Sequence, residues 1–379
     1  MGQVGIGKCE HYDYKRVLEE VDCLLSELHV LKGLKPGKVL LKTNLLKKNS
    51  PEDGVTTHPF VVEGVARHLM KKGFKVIIGD SPGGPFNKMI LKTIYQVSGI
   101  ADAAERCGCE LNYNTESIDV KPPDAKLLNH LKLVKSFTEV DYVVSCAKLK
   151  THTMMTYTGA VKNLFGMIPG VTKADYHFKM NDPDNFANML IDICDYVKPI
   201  FSIIDGVEAM EGDGPSSGDI RKLGLLLVGD NPYDLDMIAC KITGIKNVPT
   251  NIHALKRGLA QENIKNINMY GLPIESLNVE AFKLPGSTHI NFMEDRVPSF
   301  VVDFLLDKVR PYPMVIKNKC IGCGVCSRDC PAGVITIVNK KAEIDTDTCI
   351  RCFCCHELCP ESAIGIKRHL LHSLVFGKD

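Results

Sequence analysis

Cys320–Pro331 reads CIGCGVCSRDCP, and twenty-nine residues further on Cys349–Pro360 reads CIRCFCCHELCP. Both are C-x2-C-x2-C-x3-C-P. Three thiolates spaced two apart wrap one face of a cubic 4Fe–4S cluster, and the fourth ligand must arrive from elsewhere. Where the run occurs twice, the fourth cysteine of each half ligates the other half's cluster. The spacing therefore predicts two 4Fe–4S clusters. One is held by Cys320, Cys323, Cys326 and Cys359, the other by Cys349, Cys352, Cys355 and Cys330. Pro331 and Pro360 end the runs and turn the chain away. Zinc ribbons also use C-x2-C pairs, but eight ligands in a duplicated spacing, each run closed by Cys-Pro, point to iron.

Nine of the 16 cysteines fall between 320 and 359, and the clusters account for eight of them. The ninth, Cys354, stands where a non-ligand belongs and reads as a packing thiol, with a redox or alternative-ligand role as the other reading. The remaining seven are scattered among apolar residues as buried thiols. A disulfide scaffold belongs to short secreted chains, so the cysteine usage predicts a reducing cytoplasm, in an anaerobe. The 379 residues exceed one ordinary core and predict two or three domains. A net charge of +1 gives no case for nucleic acid or an anionic membrane. The N-terminal stretch lacks a secretory h-region, and apolar runs such as Leu223–Val228 are too short to span a bilayer.

Lys38–Asn44 and Phe74–Gly79 read as buried strands flanking an amphipathic helix, Pro59–Lys72, with Gly73 as its C-cap. That βαβ order predicts a parallel sheet. Met89–Arg106 reads as a helix interrupted by Gly99. Val140–Ala147, Pro199–Ile204 and Leu223–Val228 read as further strands, the last followed by a helix at Pro232 behind Asn231. The fold class is thus α/β, a mostly parallel sheet with flanking helices over residues 1–280. A connector follows at 281–312, then a small α+β cluster domain at 313–368 and a tail at 369–379. Gly206–Asp219, with four glycines and four acidic residues, reads as a mobile lid or a plain surface loop.

In open α/β sheets ligands bind beyond the carboxyl ends of the strands. Thr43-Asn44, Asp80-Ser81-Pro82-Gly83-Gly84, Lys148–His152 and Asp205-Gly206 all sit at such ends. His152, Lys162, Lys173 and His177 crowd into one stretch, where a neutral imidazole can take a proton near neutral pH and a desolvated lysine can hold an oxyanion. Asp205 is expected in the same crevice. Candidate catalytic groups are His152, Lys162, His177 and Asp80. Lys150, Lys162, Ser81, Gly83 and His58 are candidate binders of a substrate or cofactor. Thr56–Pro59 either aims a helix N-terminus at an anion or merely caps the helix.

These motifs carry a resemblance. Residues 37–245 resemble the family catalogued as domain of unknown function 362, on Thr57-His58-Pro59, Gly79-Asp80-Ser81-Pro82-Gly83, Lys148–His152, Thr158–Gly166 and Glu211–Pro215. Many of its members carry a C-terminal two-cluster ferredoxin module, so the resemblance covers nearly the whole chain, but it implies no particular activity. A more distant resemblance is to the nickel-pincer lactate racemases. They carry a His, a Gly-x-x-Lys ten residues on, a Pro-Gly and a further His, as do His152, Gly159–Lys162, Pro169-Gly170 and His177 here. That resemblance implies an acid/base role for His152, a cofactor anchor in Lys162 and a nickel ligand in His177. Where those enzymes have a second acid/base His in a Gly-Thr-His loop, this chain has Gly79-Asp80-Ser81. No strand–GxGxxG–helix unit supports a nicotinamide site. The leading expectation is an iron–sulfur oxidoreductase passing electrons between a redox partner such as ferredoxin or flavodoxin and a small molecule, with an organic or nickel-containing cofactor as a further possibility. An electron carrier that only docks a partner, and a pincer-type isomerase, are the alternatives.

Overall fold

The computed structural model describes residues 2–170, 172–286 and 311–367. Its centre is a nine-stranded sheet. Across it the strands run Asn268–Gly271, Gln3–Lys8, Asp219–Gly229, Phe201–Glu211, Tyr142–His152, Lys38–Lys42, Lys75–Gly79 and Glu110–Leu111, with Thr156–Thr158 folded back on the end of Tyr142–His152. From Phe201–Glu211 to Glu110–Leu111 every neighbour is parallel, while Asp219–Gly229 runs antiparallel to both strands beside it.

Both faces are covered, which is why the central strands read as near-continuous apolar runs. Val39 and Leu41 turn to one face, against Val17, Val21, Val61 and Val65 of the helices Tyr14–Glu27 and Pro59–Lys71. Leu40 turns to the other, against Leu190 and Ile193 of Pro183–Val197. Asn231 caps Pro232–Thr243 by accepting from the Tyr233 and Asp234 amides, as the sequence predicts. Gly99 splits the expected Met89–Arg106 helix into Lys88–Val97 and Ile100–Cys107. Its φ of 70° is a left-handed conformation that glycine adopts without strain.

Three expectations are corrected. The strands expected to end at Ala147 and Ile204 continue to His152 and Glu211, carrying the site residues on rigid backbone. The lid or loop expected at Gly206–Asp219 is mostly strand, with Met210 paired to Ile220 and Glu211 to Asp219; only the turn between them is free of the ladder. The N-terminal strand Gln3–Lys8 and helix Tyr14–Glu27 were not anticipated.

The cluster domain begins at the strand Tyr312–Val315, which pairs with Ile364–Lys367, and adds the hairpin Ile335–Val338 with Lys341–Ile344. It has its own small core around Cys326, Ile335, Ala342 and Ala363. Most of the expected connector, 287–310, and the tail lie outside the described residues. The domain packs on the carboxyl ends of the sheet. Ser216 donates to the Glu357 carbonyl at 2.9 Å, Lys47 to the Cys359 carbonyl at 2.7 Å, and His356 Nε2 lies 3.1 Å from the Asp213 carbonyl. The Glu211–Asp219 turn is thus a docking point, not a lid. Gly83 lies close under Leu358 of the cluster domain, where a Cβ would stand 2.6 Å from Leu358 Cδ2 and oblige that side chain to shift.

Candidate functional site

Between the strand ends and the cluster domain lies a cleft of about 840 Å³, counted out to its open mouth. Lys42, Asp80, Ser81, Gly83, Lys150, His152, Lys162, Lys173 and His177 line one side. Asp329, Cys354, Glu357 and Leu358 of the cluster domain line the other. The expected crevice therefore gathers all four candidate catalytic residues, but Asp205 and His58 fall outside it. Asp205 binds Lys148 Nζ at 3.0 Å and accepts from Tyr12 Oη at 2.8 Å. His58 stacks on the Tyr12 ring at 3.7 Å and caps its helix by accepting from the Phe60 amide. The capping reading of Thr56–Pro59 is the one the geometry matches.

Asp80 organises the site. Its carboxylate takes Lys42 Nζ at 2.7 Å and the Leu45 and Ser81 amides at 2.7 Å each, joining two adjacent strand ends. Lys150 donates to Asn44 Oδ1 and the Val55 carbonyl, and Lys173 to the Ser81 and Ile168 carbonyls at 2.6 Å. Burial lowers the pKa of each of these lysines, in Lys173 to about 7; Asp80 opposes the shift in Lys42. Lys162 differs. Among the described residues nothing hydrogen-bonds its Nζ, which sits 5.6 Å over the Phe165 ring. Burial lowers it too, while Glu357 and Cys354 oppose the shift.

His152 Nδ1 accepts from the Met154 and Met155 amides at 3.1 and 3.2 Å, so the neutral ring carries its proton on Nε2. That Nε2 lies 3.1 Å from Glu357 Oε1, but the pair is not aligned as a hydrogen bond, and both atoms keep bonding capacity toward the cleft. Burial, reinforced by Lys162, pushes His152 down to about 4. Burial would raise Glu357, but His152 and Lys162 outweigh it and hold the carboxyl ionised. His177 stacks on Phe186 at 4.5 Å, its Nδ1 has no hydrogen-bond partner among the described residues, and burial pushes it down to about 3. The arrangement is a neutral imidazole donor beside a carboxylate, among buried lysines of which Lys162 alone has no hydrogen-bond partner among the described residues.

Lys162 is placed by Asp236, whose carboxylate accepts from the Ala160 and Val161 amides at 2.7 and 3.0 Å and from Tyr157 Oη. Burial pushes Asp236 up to about 7 despite these donors. A carboxyl raised on folding stabilises fully below its unfolded value and loses that contribution as pH rises through its folded value. Asp236 should therefore cost on the order of 3–4 kcal/mol of stability between about pH 4 and 7. Urea unfolding of wild type against Asp236→Asn should diverge across that window; parallel curves refute the assignment.

The cysteines expected as ligands gather within the cluster domain. Cys320, Cys323, Cys326 and Cys359 surround one opening in the domain, and Cys355 is buried beside Cys352, Cys349, Cys330 and Cys326. Amides of Ala342, Arg351 and Ala363 point at the sulfurs of Cys320, Cys349 and Cys359 at 3.2–3.4 Å, donors that favour thiolate. Sequence reasoning missed Lys42 and Glu357. A lysine closing an apolar strand was a usable signal for the first; Glu357 looked like a spacer between ligands.

A family model described as "Domain of unknown function (DUF362)" matches residues 39–241. The chain belongs to the DUF362 family. A 4Fe–4S dicluster model matches residues 313–360 of this DUF362 protein. It is 33% identical over 266 residues to the thylakoid-associated protein sll1697 of Synechocystis, covering 68% of this chain and 79% of that one. Its cluster domain is 45% identical over 56 residues to the pyruvate synthase subunit PorD of Methanothermobacter marburgensis, covering 15% of this chain and 65% of the relative. It is also 39% identical over 61 residues to one component of an ion-translocating oxidoreductase complex of Methanosarcina acetivorans, covering 16% of this chain and 23% of that component. Among solved structures, the lactate racemase apoprotein of Thermoanaerobacterium thermosaccharolyticum aligns with TM-score 0.41 and 13% identity, over 65% of this chain and 58% of the other. No described helix is long and apolar enough to cross a membrane. The DUF362 protein is an iron–sulfur electron carrier by its cluster domain.

Proposed function

We propose that this chain is an oxidoreductase acting on a small organic anion held in the cleft. One observation supports the reading above all. The second cysteine run, through Cys354 and Glu357, forms the wall facing Lys162, His152 and His177. Bound clusters supply one-electron transfer, and the rest falls to the chain's own residues. Lys162 binds the anion directly, while Lys42, Lys150 and Lys173 already donate to neighbouring oxygens and take no part in the contact. Phe165, Leu46 and Leu358 exclude water from the rest of the molecule. His152, with its proton on Nε2 and Glu357 beside it, donates a hydrogen bond to the reducible group of the bound molecule and polarises it. Reduction of an oxo or unsaturated group then balances as two electrons, delivered singly from a ferredoxin- or flavodoxin-class donor, and two protons relayed from solvent; oxidation is the reverse.

The test uses inorganic phosphate as the probe, titrated calorimetrically into anaerobic protein. A charge-assisted hydrogen bond contributes about 1.5–3 kcal/mol, so Lys162→Ala should weaken binding by about 10- to 100-fold. His152→Ala should leave phosphate binding nearly unchanged yet stop reoxidation of the reduced protein by small molecules extracted from its native cells. Both variants should keep wild-type iron. Unchanged phosphate affinity in Lys162→Ala sinks the reading.

A further inference from the structure

The two predicted clusters have different surroundings. Cys354 and Asp329, next to ligands Cys355 and Cys330, face the cleft. The other set opens outward: Cys323 is exposed, and Ile321 and Ile337 beside it are 60% and 38% exposed. Ile321 and Ile337 line the same opening as Cys320 and Cys323. Exposed branched side chains gathered on one opening mark an interaction site more than scattered ones do.

Its rim is basic. Lys317, Lys319 and Lys340 are exposed, and Lys341 Nζ donates to the Cys320 carbonyl at 2.6 Å. Lys340 is fixed against the ligand loop, since a Cβ on Gly322 would stand 2.4 Å from the Lys340 carbonyl oxygen. Glu361 is the one carboxylate lining the opening among the described residues. A chain of net charge +1 thus concentrates four lysines around one apolar, ligand-bearing surface.

Building on the reading of the chain as an electron-transferring protein, we infer that this surface docks a small acidic one-electron carrier, a flavin or iron–sulfur protein with carboxylates ringing its redox centre. Ile321 and Ile337 form the desolvated centre of the contact, and the lysines steer the approach. The site is separate from the cleft, so electrons enter at the Cys323 side and are used at the Cys354 side.

The experiment measures association of anaerobic full-length protein with an oxidised flavodoxin by stopped flow, across salt concentrations. Steering by complementary charge raises association rates by about 10- to 1,000-fold and falls steeply with salt. The combined Lys317→Glu, Lys319→Glu and Lys340→Glu variant should associate at least tenfold more slowly and lose most of the salt dependence. Ile337→Asp should weaken the complex through faster dissociation. Both should keep wild-type iron and sulfide, which excludes loss of the fold. A rate unchanged by charge reversal, or a basic cytochrome c binding as well as flavodoxin, overturns the inference. Lys162→Ala separates the two proposals: it should weaken phosphate binding in the cleft by about 10- to 100-fold and leave flavodoxin association untouched. Failure at the cleft alone leaves the docking surface standing.

Discussion

Cys330→Ala should halve the iron content of anaerobically purified protein, from about eight per chain to about four, because it withdraws the fourth ligand from the cluster bound by the other run. Cys354→Ala should leave the iron intact. In the structure Cys354 is buried in the wall of the cleft, one residue from the predicted ligand Cys355 and with its thiol against that of Cys352. Iron and sulfide analysis of the two variants decides the matter. Equal losses show that Cys354 is a ligand and that the crossed assignment is wrong.

Ending the chain at residue 310 should leave a folded α/β domain that has lost its anion site. The three large cores draw only on residues from Val4 to Phe282, and the cluster domain keeps a core of its own. The fragment should therefore retain its near-UV circular dichroism. Its cleft, however, loses the wall carrying Glu357 and Leu358, and Lys162 returns to water. An ion contact at ~4 Å falls from about 4 kcal/mol near a protein surface to about 1 kcal/mol in bulk water, so phosphate affinity should drop by about 100-fold. A molten fragment shows instead that the cluster domain completes the sheet's core. A folded fragment with full affinity shows that the wall is irrelevant to binding.

The central strands and capped helices were legible because their signals are local. Val39–Leu41 is apolar on both faces because helices cover both faces, and Asn231 before Pro232 states a helix start in two residues. The Gly206–Asp219 stretch misled for a nonlocal reason. Its glycines and acids look like a loop, yet Phe201–Glu211 and Asp219–Gly229 satisfy each other's backbone groups, and Arg221 lies 3.5 Å from Glu211. Asp80 was legible as a strand-end residue. Its work as a joint between strand ends rests on Lys42 and the Leu45 amide, which no pattern in the chain ties to it.

By itself the sequence predicts the cluster ligands, since their spacing is short-range and each run carries its own geometry. It also determined that His152 and Lys162 share a neighbourhood, since a strand end and the helix after it are covalently close. Only the tertiary structure decided that Glu357, between two ligands of the distant second run, meets His152 at 3.1 Å. Packing of one domain on the strand ends of another sets that contact. The same packing withdraws water from the lysines, lowering their pKa values. Desolvation belongs to the assembled cleft, and no residue's neighbours along the chain encode it.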